Sequence, residues 1–318
     1  MIRLHISKTR IFMSTFDRRD FLKATTLVMA APYFPLFFNM KKTKPLLAFS
    51  TLGCPDWNFN QITDFAKANN YEGIEIRGLL HEMYLPKCPE FRTPENISAT
   101  LSLMKEKNLA FADLGSSTNL HITEPEERRK NLDEAKHFID LAQKINCPFV
   151  RVFPNKLPKD RDKNQTMDLM IQGLLELGDY AKGSNVSVLM ETHGDLLWSN
   201  DIEKVMQAAF NEHTGLVWDV TNMWSITKEP PAEVYEKLKK YIRHTHIKDL
   251  KMIDGKEHYV LLARGEVPIF AAIDALRKGG YSGYYSFEWE KLWHPDIDAP
   301  ELAIADYATV MLKHFKKA

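Results

Sequence analysis

From Lys44 onward, short apolar runs alternate with longer segments in which apolar residues recur every three or four positions. The short runs predict strands at Leu46–Ser50, Gly73–Ile76, Ala110–Leu114, Phe149–Phe153, Ser187–Met190, Gly215–Trp218, Ile242–Ile247 and Tyr284–Phe287. The longer segments predict helices near Phe59–Ala68, Pro94–Lys107, Pro125–Ile145, Gln165–Ser184, Asp201–Ala209, Ala232–Lys240, Ile269–Lys278 and Pro300–Phe315. Strand–helix alternation is the signature of βαβ units with a parallel sheet. No Gly/Ser-rich linker divides the region, so one α/β domain over residues 44–318, a (β/α)₈ TIM barrel, fits better than two halves; such barrels typically run to about 250 residues. The rival, an open doubly wound sheet, would normally carry a Gly-rich phosphate turn after its first strand, where this chain reads Thr51-Leu52-Gly53-Cys54-Pro55.

Local chemistry agrees with these elements. Asn200-Asp201-Ile202-Glu203 offers a capping side chain and early acids to a helix start, and Gly279-Gly280 offers residues tolerant of positive φ just past a helix end. Pro268, near the first turn of the next-to-last helix, costs no hydrogen bond there.

Residues 1–43 break the pattern. A basic stretch (Arg3, Lys8, Arg10) leads into Asp17-Arg18-Arg19-Asp20-Phe21-Leu22-Lys23 and then an uncharged run from Ala24 to Met40. The arrangement resembles a twin-arginine export signal, which implies an exported, periplasmic protein. Pro32 and Pro35 interrupt the apolar run, which falls short of the about 20 residues a membrane span needs, so any membrane tether would be through this signal alone.

Lysine plus arginine equals aspartate plus glutamate at 42 each, so no global field draws the chain to a polyanion, and no nucleic-acid partner is expected. Cys54, Cys88 and Cys147 are odd in number and lack a CxxC, which fits core thiols better than a disulfide framework or a zinc knuckle. A homo-oligomer is left open.

Chemistry concentrates at the strand ends, where a barrel's side chains converge on one rim. Four consecutive strands end in Val188-Leu189-Met190-Glu191, Leu216-Val217-Trp218-Asp219, His244-Thr245-His246 and Tyr285-Ser286-Phe287-Glu288. Two unit charges about 4 Å apart repel by roughly 4 kcal/mol at an effective dielectric of 20, so three converging carboxylates cost on the order of 10 kcal/mol. That rivals a whole-domain stability of about 5–15 kcal/mol. Protons or a cation must relieve it, and His246, a good ligand as neutral imidazole, favours one divalent metal held by Glu191, Asp219, His246 and Glu288, with Mn²⁺ preferred and Mg²⁺, Co²⁺ or Zn²⁺ also suited.

Glu191 in Met-Glu-Thr-His, Asp219 in Trp-Asp-Val-Thr-Asn, His246 in His-Thr-His-Ile-Lys-Asp and Glu288 in Phe-Glu-Trp-Glu, with Gly73-Ile74-Glu75-Ile76 and Gly265-Glu266, resemble the xylose isomerase-like barrels of the sugar phosphate isomerase/epimerase superfamily. The resemblance spans Lys44 to Ala318. It implies that the four residues bind one divalent ion and that Glu191 and Glu288 also move protons. Many members read Asp-x-x-His where this chain has Asn222, which can hydrogen-bond a hydroxyl but cannot move a proton near pH 7. A one-metal sugar site is therefore expected, and the three-zinc arrangement of the superfamily's abasic-site endonucleases is disfavoured.

The expected reaction is isomerisation or epimerisation of a keto-sugar through an enediolate, with a sugar or glycoside as the small-molecule partner. Elimination from a 3-keto-glycoside is the alternative, and a barrel that binds sugar without catalysis is a third reading. Further substrate contacts are assigned to His193, Asn222, Lys248, Glu75 and Arg151; Lys248 either holds a substrate oxygen, steadies Glu288 or forms a surface salt bridge, and Glu75 and Arg151 form either sugar contacts or an ion pair across the mouth. His244 reads as a buried barrel histidine, and Trp218, Trp224, Trp289 and Trp293 as packing residues or sugar platforms. No basic cluster stands out at the rim, so a neutral sugar is expected over a phosphorylated one.

Overall fold

A computed structural model describes residues 44–317. The export signal and linker expected over residues 1–43 lie outside the described residues.

Eight parallel strands close into a barrel: β1 (Leu46–Ser50), β2 (Gly73–Ile76), β3 (Ala110–Asn119), β4 (Phe149–Phe153), β5 (Ser187–Glu191), β6 (Thr214–Asp219), β7 (Ile242–Ile247) and β10 (Tyr284–Phe287). β10 pairs with both β7 and β1, which closes the ring. The (β/α)₈ architecture read from the sequence is the one observed. Outside it are α1 (Phe59–Ala68), α2 (Pro94–Lys107), α3 (Pro125–Lys144), α4 (Lys163–Tyr180), α5 (Ser199–Ala209), α6 (Val220–Thr227), α7 (Pro231–Leu238), α8 (Ile269–Lys278) and α9 (Pro300–Lys317). None of the described helices is long and apolar enough to cross a membrane.

Period-two alternation builds the two faces of the barrel wall. Ile74, Ile76, Val150, Val152, Val188, Met190, Leu216, Trp218, Tyr285 and Phe287 belong to the apolar core packed under the helices. Their alternates face the barrel axis and are largely polar: Glu75, Asp113, Arg151, Glu191, Asp219, His244, His246 and Ser286 are all buried. Cys54, Cys88 and Cys147 are buried free thiols, as expected.

Helix starts follow their side chains. At α1, Asn58 Oδ1 accepts from Gln61 N (3.0 Å) while Gln61 Oε1 accepts from Asn58 N (2.9 Å), a reciprocal capping box. The cap expected from Asn200 at α5 is corrected: the helix begins at Ser199, and Glu229 accepts from Ser199 N (3.0 Å) and Ser199 Oγ (2.6 Å) in its place. Two elements escaped the sequence reading. α6 starts directly after β6, and an antiparallel hairpin, β8 (Asp249–Ile253) and β9 (Lys256–Val260), follows β7. The hairpin turns on Asp254 and Gly255, both at positive φ (51° and 74°), the geometry an Asp-Gly pair favours.

Candidate metal centre

Glu191 closes β5, Asp219 closes β6, His246 is the penultimate layer of β7, and Glu288 follows β10 directly. Parallel register sets them side by side: Asp219 pairs with His246 across β6–β7, and His246 with Ser286 across β7–β10. One ligand atom from each of the four lies within 4.8 Å of every other, and all four residues are buried. His246 Nδ1 is 3.2 Å from Glu288 Oε1, 3.3 Å from Glu191 Oε1 and 4.0 Å from Asp219 Oδ2.

The residues present fit a divalent cation. Glu191 Oε2 and Asp219 Oδ2 are buried carboxylate oxygens that meet cations (Arg151 Nε at 3.1 Å, Lys248 Nζ at 2.9 Å) without an aligned hydrogen bond, so their lone pairs are not fully used. Three carboxylates and one imidazole are a donor set that hard or borderline divalent ions accept.

Each ligand is oriented from behind. Glu75 lies beneath His246 on the barrel axis: its Oε2 is 3.1 Å from His246 Nε2 and 3.0 Å from His244 Nε2, and accepts from Ser286 Oγ at 2.9 Å. A Glu75 carboxylate at Nε2 favours the proton there, so that a metal displacing the other proton would find Nδ1 facing the carboxylates. Lys248 is fully buried, its Nζ 2.6 Å from Glu288 Oε2, 2.6 Å from Glu290 Oε1 and 2.9 Å from Asp219 Oδ2. Arg151 Nε is 3.1 Å from Glu191 Oε2, and its Nη1 donates to Ser116 O (2.8 Å). Asp219 Oδ1 accepts from Asn222 N (2.7 Å), so one carboxylate oxygen caps α6 while the other faces the centre.

Ionisation follows from these contacts. Burial opposes charge on Glu288, yet His246 and Lys248 hold it well below the ordinary carboxylate range. Burial and the Glu288 charge oppose ionisation of Glu191, and His246 and Arg151 outweigh them. Asp219 goes the other way, pushed up to about 7 mainly by burial, with Glu288 and Glu191 adding to the effect against Lys248. Burial works against a charged His246, but Glu288, Glu75 and Glu191 push it well above its usual value. In the absence of a metal the centre holds protons, and a divalent ion competes for the same nest.

The other expected site residues are placed as follows. Asn222 Nδ2 lies 3.5 Å from Glu191 Oε1 and 3.4 Å from Thr192 O, at the edge of the centre. β5 ends at Glu191, so His193 does not continue the strand alternation; its Nδ1 is 2.8 Å from Asn155 Oδ1 and its ring packs 4.6 Å from that of Phe153. Of the two alternatives for Glu75 and Arg151, the ion pair between them is not formed: among the described residues Glu75 pairs with the two histidines and Arg151 with Glu191, because Glu75 sits in a lower layer of the barrel. His244 is indeed a buried barrel histidine. Trp218 and Trp289 are fully buried packing residues, Trp224 is half-buried beneath the Lys228 ammonium (3.6 Å), and Trp293 is exposed. The expectation of no basic cluster at the rim is corrected by Arg77, which lies beside Arg151. Arg77, Asn155 and Glu290 went unread. Glu290 had a signal, its place two residues beyond Glu288.

The sequence profile of xylose isomerase-like TIM barrels matches residues 63–313. The chain belongs to that family. This xylose isomerase-like barrel is 22% identical over 200 residues to 3-dehydroshikimate dehydratase of Bacillus anthracis, covering 62% of this chain and 68% of the relative. It is 22% identical over 260 residues to fructoselysine 3-epimerase of Shigella flexneri, covering 77% and 88%. Among solved structures, the IolI protein with a bound zinc atom superposes with a TM-score of 0.72 at 17% identity, covering 86% of this chain and 98% of that one.

Proposed function

We propose that this protein is a divalent-metal-dependent isomerase or epimerase of a keto-sugar, with Mn²⁺ as the expected ion. The observation that carries the reading is the convergence of Glu191, Asp219, His246 and Glu288 to within 4.8 Å at the C-terminal rim. A divalent ion bound there supplies Lewis-acid stabilisation of negative charge on a substrate's carbonyl and neighbouring hydroxyl oxygens.

The proton chemistry belongs to the chain. Glu191 and Glu288 stand on strands three places apart in the ring β5-β6-β7-β10, so they approach a substrate from different sides. One removes the proton beside the carbonyl; the other returns it to the opposite face for epimerisation or to the adjacent carbon for isomerisation. Lys248 and Arg151 each hold one oxygen of their glutamate and keep it deprotonated, the state in which it can accept a proton, while lowering its basicity. His193, Asn222 and Lys248 are the proposed substrate contacts, and Arg151 a contact that also orients Glu191. Export through the Arg18-Arg19 motif would place the enzyme outside the cytoplasm, among free sugars and glycosides.

The test is deuterium uptake. Keto-sugars incubated with Mn²⁺-loaded protein in D₂O should gain deuterium beside the carbonyl, and Glu288→Gln should abolish the gain. Uptake undiminished in Glu288→Gln removes its proton-transfer role, and no uptake from any sugar leaves a binding barrel without catalysis. A second reading, elimination, draws support from the dehydratase relative. Release of an aglycone from a 3-keto-glycoside would mark it.

A further inference from the structure

Arg77 directly follows β2, and its side chain lies beside those of Arg151 and Phe153, at the end of the barrel that carries the metal centre. It is only 7% exposed. Its backbone is pinned, since Arg77 N donates to Thr51 Oγ1 (2.9 Å) and that hydroxyl donates to Gly78 O (2.6 Å). Its stem is packed, since a Cβ at Gly115 would stand 2.5 Å from Arg77 Cδ and 2.8 Å from Arg151 Nη2 and would displace one or both arginines.

Among the described residues Arg77 has no close ion-pair partner, and Glu288, Glu191 and Glu134 favour its charge only from farther away. Nη2 donates to Ser117 Oγ (3.2 Å), but Nη1 is buried without a partner, and among the described residues no carboxylate lies within 4.0 Å of the guanidinium. Arg151, in contrast, is answered by Glu191 and Ser116. Burial first and the Arg151 charge second push the Arg77 pKa down to about 9, which still leaves a cation at neutral pH. A buried, unpaired cation is costly, and a planar fork of donors is matched best by a carboxylate or phosphate. The location suits a ligand: the Arg77 and Arg151 guanidinium carbons lie 6.0 Å and 3.8 Å from the Phe153 ring centroid, and His193 packs on the same ring.

We propose that Arg77 receives an oxyanion of the substrate, a carboxylate or a phosphate ester, on the Phe153 wall beside the metal centre. The inference rests on the keto-sugar reading above and narrows it to acidic or phosphorylated keto-sugars. It replaces the neutral sugar expected from the sequence.

The experiment is isothermal titration of three probes, D-fructose, D-fructose 6-phosphate and 5-keto-D-gluconate, into Mn²⁺-loaded protein, repeated in Glu288→Gln so that turnover does not enter the affinity. At least one anionic probe should bind tenfold or more tightly than fructose. A phosphate preference, a carboxylate preference or both support the subsite and identify its ligand. Arg77→Gln should collapse the anion-to-neutral ratio to below threefold. Arg77→Lys, which keeps the charge without the fork, should retain part of it and serves if the glutamine variant does not fold. Equal binding of all three probes, or a ratio unchanged in both variants, overturns the proposal. The two readings fail separately. Anion preference without deuterium uptake from any sugar keeps Arg77 and sinks the isomerase; uptake with equal affinities does the reverse.

Discussion

Replacing Lys248 by methionine tests how the centre survives its own charge. The ammonium is fully buried, 2.6 Å from Glu288 Oε2, 2.6 Å from Glu290 Oε1 and 2.9 Å from Asp219 Oδ2. Each contact attracts by about 6 kcal/mol at an effective dielectric near 20. The three do not sum to net stability, because the ammonium was stripped of water and the carboxylates repel one another. Deleting one partner of a buried ionic cluster costs about 3–5 kcal/mol. At about 2 °C per kcal/mol for a domain of this size, Lys248→Met should lower the melting temperature of the metal-free protein by roughly 6–10 °C. Saturating Mn²⁺ restores positive charge to the same oxygens and should recover a larger increment in the variant than in wild type. Differential scanning calorimetry with and without metal measures both. A metal-free variant melting within 2 °C of wild type, or an equal gain from Mn²⁺ in both proteins, would refute the reasoning.

Glu75→Gln removes the charged acceptor behind His246 Nε2 and should weaken Mn²⁺ binding by about 10–100-fold, measured by competition with a chelator; unchanged affinity would deny Glu75 its orienting role. Asp219 carries a sign-definite pH effect. Its pKa rises from 3.8 to about 7 on folding, so between those values the native state binds more protons than the unfolded chain and this group's contribution to stability falls as pH rises. Metal-free Asp219→Asn should therefore gain stability relative to wild type as pH climbs from 4 to 7 in urea titrations, and a constant difference would contradict the assignment. Substituting Lys-Lys for Arg18-Arg19 should strand the protein in the cytoplasm on cell fractionation; unaltered export would dismiss the twin-arginine reading.

The barrel was legible because strand length and apolar content agree where both wall faces are buried: β1, β2, β4, β7 and β10 coincide with their predicted bounds. β3 runs on from Leu114 to Asn119 through Gly-Ser-Ser-Thr, small polar residues that carry no apolar signal. The β8–β9 hairpin is polar and exposed along most of its length, so only its Asp-Gly turn marked it. The four proposed ligands were legible as polar residues ending apolar runs. Their supports were legible only in part. Lys248 steadying Glu288 is one of the roles its place beyond His246 suggests, but Glu75 reads only as a rim residue, in a sugar contact or an ion pair with Arg151, because sequence order cannot tell which layer of the barrel a side chain occupies. Arg77, one residue past its strand, is set apart only by packing against Gly115 and by a guanidinium nitrogen without a partner.

The Glu75 clamp has a bearing on how the site matures. The four proposed ligands lie between residues 191 and 288, whereas the carboxylate that orients His246 arrives from β2, on the far side of the closed ring. A C-terminal fragment beginning after α4 would thus hold all four proposed ligands and lack the carboxylate that orients His246. Any ion captured with full affinity would therefore require the β2 strand to be docked in the ring first, rewarding a finished barrel over an unfinished one.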